Sequence, residues 1–161
     1  MEFNNFETEV TEFEFNSFHR MPSRNHGILQ TRIARLLDVA YENEYSILTA
    51  VELELTSGRA VPDVAIYPKM HIIDWDEDVI RMPDAPLTAI EIISPRQAYM
   101  DLTDKNKKIY FPAGVKSTWI VMPALKTIYV YTSSSHHTTF EKGILKDPAT
   151  GIEISLDEIF K

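Results

Sequence analysis

Two short apolar runs, each interrupted by a single acid, most constrain what this chain can fold into. They are Val61-Pro62-Asp63-Val64-Ala65-Ile66 and Ala89-Ile90-Glu91-Ile92-Ile93-Ser94. Strands that read as continuous apolar runs are usually buried, and a carboxylate ionised there is costly without a cation. Nearly thirty residues separate the two acids, so only a tertiary fold can bring them together. Two carboxylates at neighbouring strand ends, with a lysine close by, suit a hard divalent metal engaged in phosphodiester chemistry.

Composition narrows the setting. The 161 residues are 44% apolar and 25% charged, which predicts one globular domain over 1–161. Within it, 1–22 reads as an aromatic and acidic arm, and 132–161 as an extension of the sheet. There is no cysteine, which removes disulfides, thiol nucleophiles and thiolate zinc sites. The acidic start is not a secretory signal, and no apolar run approaches the ~18 residues that span a bilayer. A cytoplasmic protein that does not engage membranes is the expectation. The net charge of −8 argues against a broad basic nucleic-acid face, because phosphate neutralisation dominates such affinity. A local basic groove stays open: three lysines fall between 105 and 108, and Arg20, Arg24, Arg32 and Arg35 cluster earlier.

Period-two alternation over 8–17 puts Thr11, Phe13 and Phe15 opposite Glu12 and Glu14, as in an edge strand or a dimer-forming arm. Ser23 is a good helix N-cap, and Leu29, Ile33, Leu36, Leu37 and Ala40 recur at helical spacing, so 24–41 reads as an amphipathic helix. His26 falls near its packed face, as a structural histidine or a contact at the rim of a site. Residues 46–55 read as one strand, with Ser57-Gly58 as a turn that sets Glu52 or Glu54 across from Asp63 as a third acid. Pro62 belongs at the first residues of the next strand or on an edge.

The acidic stretch 69–86 reads as solvated loop. After the strand 87–94, residues 101–111 read as a helix with Leu102, Ile109 and Tyr110 inward, stopped by Gly114. Strands follow at 118–122 and 127–131, then a polar tip at 133–137. Its His136-His137 pair is a poor metal site, since adjacent histidines on an extended chain point apart. One or two strands near 143–145 and 152–154 and a short closing segment end the chain. The element order predicts a mixed sheet flanked by helices, in the α+β or α/β class.

In that frame Asp63 and Glu91 supply oxygen ligands, the carbonyl of Ile92 can add another, and Lys105, Lys107 or Lys108 offers the ammonium that steadies a phosphate. Pro62-Asp63, Glu91-Ile92-Ile93-Ser94-Pro95 and the run from Tyr110 to Val121 resemble, in order and spacing, the Uma-two family of endonuclease-like proteins. The resemblance covers about 23–131. It implies the restriction-endonuclease-like PD-(D/E)XK fold, Mg²⁺ or Mn²⁺ as cofactor, and nucleic acid, DNA rather than RNA, as substrate.

The resemblance further implies that Asp63 matches the metal-binding aspartate and Glu91 the second acid. The family's lysine comes from the following helix, four residues before the tyrosine matching Tyr110. That position here is Asn106, flanked by Lys105 and Lys107. The role then falls to Lys105 through a local irregularity, or to Lys107. His26 resembles a histidine at the start of the family's first helix. A two-fold homodimer would suit both the arm and the cutting of two strands. The displaced lysine and the acidic charge favour a second reading, a nuclease scaffold kept as a binding or assembly module. A metal-free acid–base hydrolase using the two carboxylates is a third.

Overall fold

The computed structural model describes residues 22–161. The alternating arm and Arg20 lie outside the described residues. Helix α1 (Arg24–Tyr41) leads to β1 (Tyr45–Thr49), β2 (Glu52–Leu55), β3 (Gly58–Ala60), β4 (Val64–Pro68), the two-residue β5 (Arg81–Met82) and β6 (Thr88–Ile92). Helix α2 (Tyr99–Lys105) runs directly into a π-helical turn (Asn106–Tyr110). β7 (Ser117–Met122), β8 (Thr127–Ser133), β9 (His136–Phe140), β10 (Ile144–Lys146), β11 (Glu153–Ser155) and α3 (Leu156–Ile159) complete the chain.

The main sheet has six strands in the order β1-β4-β6-β7-β8-β9. β6 and β7 run parallel, joined by α2 and the π turn as the crossover, and the other pairs are antiparallel. Alternation along the strands divides the core. Val64, Ile66, Ile90, Ile92, Trp119 and Val121 point to one face, where Leu29, Ile33 and Leu37 of α1 cover them. Ala65, Tyr67 and Ala89 point to the other, beneath the small sheet β3-β2-β5 and Tyr110. The architecture is mixed α+β, as expected.

Helix α1 has the predicted bounds, and Ser23 caps it by accepting from the His26 N–H at 3.3 Å. Ala40, placed on the apolar face by periodicity, is instead exposed in the last turn. The single strand expected over 46–55 is two strands in two sheets. Ala50 takes a left-handed φ of 52°, and its N–H donates to the Asp63 carbonyl at 3.1 Å. A non-glycine residue held there costs roughly 1–2 kcal/mol, so this is a built break rather than an interrupted strand. It releases β2 to pair with β3 and leaves β1 beside β4.

Past residue 132, only β8 and β9 continue the main sheet, whereas β10 and β11 form a two-stranded sheet of their own. The tip at 133–137 is a tight turn into β9. His137 lies against the rings of Tyr129 and Tyr131, at centroid distances of 5.5 and 4.9 Å. No described helix is long and apolar enough to cross a membrane.

Candidate active site

Asp63 immediately precedes β4, where the paired register with β6 ends at Val64 opposite Ile90. Beyond that point its carboxylate takes over from the backbone. Asp63 Oδ2 accepts the Ile92 N–H at 2.6 Å, so the side chain is fixed by the strand that carries the second acid. Its other oxygen, Oδ1, lies 2.9 Å from His26 Nε2 in the first turn of α1. Hydrogen bonding to Asp63 raises the His26 pKa above its ordinary value; burial opposes this, and the charges of Asp63 and Glu91 add to it.

Glu91 lies on the face of β6 opposite the α1 core, and is only 5% exposed. Its Oε1 accepts from Lys105 Nζ at 2.8 Å and from the Tyr110 hydroxyl at 2.5 Å. Oε2 makes no hydrogen bond among the described residues. Burial pushes the Glu91 carboxyl above the usual carboxylate range; the Lys105 ammonium opposes that shift and the Asp63 charge reinforces it.

A cleft of about 350 Å³ opens over these groups. His26, Asp63, Glu91 and Lys105 line it, with Arg59 and Gln97. The volume falls within the range of small-ligand pockets, and carboxylates, an ammonium and an imidazole converge on it. Among the described residues no three His, Asp or Glu side chains are grouped as a ready-made metal cage.

The other candidates lie elsewhere. Glu52 pairs with Arg59 and, at 3.3 Å, with Arg81; Glu54 is within 4.0 Å of Arg81. Neither lines the cleft, because the break at Ala50 carries β2 out of the main sheet. Lys107 is exposed and does not line the cleft. Tyr110 was legible from sequence only as an inward helix position. The available signal was its hydroxyl, which an inward tyrosine must satisfy.

The Uma2 family, described as "Putative restriction endonuclease", matches residues 16–157. The chain belongs to this family. Its fold is also that of a crystal structure described as a putative nuclease belonging to DUF820 from Anabaena variabilis ATCC 29413. The TM-score is 0.73 at 21% identity, over 87% of this chain and 82% of that one. None of the curated proteins compared with the chain matches it. Membership of Uma2 makes this a nuclease-type protein, and restriction-endonuclease-like is the right description of its sheet and helices.

Proposed function

We propose that this Uma2 chain is a divalent-metal-dependent endonuclease, acting through a single restriction-endonuclease-like domain on the phosphodiester bonds of DNA. The observation that carries the reading is the convergence of Asp63, Glu91 and Lys105 on one cleft. The donor set suits a hard cation: Mg²⁺ is usually held by one or two carboxylates, with water and substrate phosphate filling the remaining positions. Asp63 and Glu91 would hold the ion, and among the described residues Glu91 Oε2 carries no competing hydrogen bond. Mg²⁺ or Mn²⁺ bound there supplies Lewis acidity toward the phosphodiester and its attacking water.

The chain's own groups do the rest. The Ile92 N–H fixes Asp63, so that carboxylate need not be ordered when substrate arrives. Glu91 holds the Lys105 ammonium at the cleft, where it offsets charge developing on a phosphoryl oxygen. His26 engages Asp63 from the side of α1, its Nε2 2.9 Å from Oδ1. The description of the family as restriction endonucleases supports DNA over RNA, and two-strand cutting would call for a two-fold homodimer.

A second reading has its own support. Both Asp63 oxygens and Glu91 Oε1 are engaged by donors of the chain itself, as in a scaffold that binds without cutting. Calorimetric titration with Mn²⁺ separates the two. The nuclease reading expects saturable binding that Glu91→Ala removes, and divalent-dependent DNA cleavage that Asp63→Ala abolishes. Equal cleavage by wild type and Asp63→Ala would refute the mechanism. Absence of Mn²⁺ binding would leave the scaffold reading.

A further inference from the structure

Lys105 and Tyr110 both hydrogen-bond Glu91 Oε1. They are five residues apart on one helical segment. In a regular α-helix a separation of five turns two side chains roughly 140° away from each other, so they could not meet on one oxygen. A separation of four brings them to one face. The chain reconciles the two through the π turn between them. The Phe111 N–H donates to the Asn106 carbonyl, five residues back, at 3.0 Å. Such a bond encloses one residue more than an α-helical bond.

The additional residue leaves marks. The Asn106 N–H is shared between the carbonyls of Leu102 and Thr103, where one ladder gives way to another. Asn106 itself is 1% exposed, and its Nδ2 is buried with no hydrogen-bond partner among the described residues. A buried amide nitrogen left without a partner is an unfavourable feature that packing alone would not select. The Ile109 carbonyl, within the turn, accepts a 2.6 Å hydrogen bond from Ser57 Oγ, which ties the irregular backbone to the β2–β3 hairpin. Leu102 and Tyr110, both fully buried, sit on either side of the turn. Over their eight residues a regular helix would rotate one roughly 80° from the other, whereas seven would align them.

We infer that the π turn is a register device for this site: it absorbs Asn106 so that Lys105 and Tyr110 close on the same oxygen of Glu91. Tyr110 is thereby a positioning residue, holding the carboxylate that holds the lysine. The inference rests on the nuclease reading only for its purpose. The geometry it explains exists whether or not the site cuts.

The test is thermal unfolding of the full chain without metal or nucleic acid, so that failure of the nuclease reading does not enter. In the parent chain Lys105→Met lowers the midpoint by about 3–6 °C, a loss that disappears in the Glu91→Gln background. Deleting Asn106 gives a regular helix with the lysine four residues before the tyrosine. That variant folds, and Lys105→Met lowers its midpoint by as much as in the parent. Inserting one alanine after Asn106 moves the lysine off the site, and Lys105→Met then shifts nothing. Asn106→Lys fails to rescue Lys105→Met in the parent, because position 106 lies under the helix. Failure of the deletion variant to fold, loss of its dependence on Lys105, or persistence of that dependence in the insertion variant would overturn the proposal. Saturable Mn²⁺ binding by the deletion variant reports separately on the nuclease reading.

Discussion

The protein buries two carboxylates beside its central sheet and treats them in opposite ways. Asp147, fully buried, is saturated by neutral donors. Its Oδ2 accepts from Ser117 and from Trp119 Nε1 at 2.7 Å, and Oδ1 from the Ala149 and Thr150 N–H groups at 2.8 and 3.4 Å. Thr88 extends the network through Ser117 at 2.8 Å. No ion pair among the described residues includes Asp147. Among the described residues, Glu91, almost as buried, has both its donors on one oxygen, one of them an ammonium, and its other oxygen without a hydrogen bond. Saturation by fixed dipoles makes a pin that closes the loop between β10 and β11. Half-saturation beside a cleft leaves a group able to take another ligand. Burial alone therefore does not separate the two acids; the count and kind of their donors does.

The contrast is broken most forcefully by removing charge from each acid without changing its shape. Asp147→Asn sets an amide NH₂ against an N–H with no acceptor capacity whichever way it is turned, Trp119 Nε1–H on one side or the Ala149 and Thr150 N–H groups on the other. The expected loss is about 3–5 kcal/mol, read from urea unfolding. Glu91→Gln should cost less, about 1–2 kcal/mol, since it relieves a desolvated charge and Lys105 lines a cleft that water can enter. Mn²⁺ supplies the complementary measurement. At 100 times its Kd it should stabilise the wild type and Asp147→Asn by about 2.7 kcal/mol and Glu91→Gln by nothing. Equal stability losses in the two variants, or Mn²⁺ stabilisation surviving in Glu91→Gln, would erase the distinction drawn here.

The helix α1, the strands β4, β6, β7 and β8, and the pairing of Asp63 with Glu91 in space were legible because periodicity and apolar runs record local burial. What was not legible depended on backbone irregularities. Nothing in Thr49-Ala50-Val51 signals a left-handed alanine, so 46–55 reads as one strand that sets Glu52 or Glu54 across from Asp63. The structure instead gives Glu52 to Arg59 and Arg81. The π turn is likewise silent in sequence: Asn106-Lys107-Lys108 carries the same helix propensity whether the ladder closes over four residues or five. Asp147 is silent in sequence for another reason. A carboxylate satisfied by hydroxyl, indole and backbone donors has no charged partner to betray it, and its donors come from a segment some thirty positions earlier and from its own loop.

The smallest expected effect bears on the ambiguity that the sequence leaves between two lysines. Lys105 and Lys107 are two positions apart, yet only Lys105 reaches Glu91, its side chain 11% exposed, while Lys107 faces solvent. Lys107→Ala removes an exposed ammonium from a helical surface, and should alter stability by less than about 0.5 kcal/mol. Its Mn²⁺ affinity and divalent-dependent cleavage should stay within about twofold of wild type, as screening predicts for an exposed charge. Under the same conditions Lys105→Ala should lose at least about 100-fold in cleavage, the scale of removing one group that stabilises developing charge. Should the two variants lose cleavage equally, Lys107 also serves the site when substrate is bound. The helix would then supply a pair of ammonium groups, and Glu91 would be their anchor rather than the partner of one.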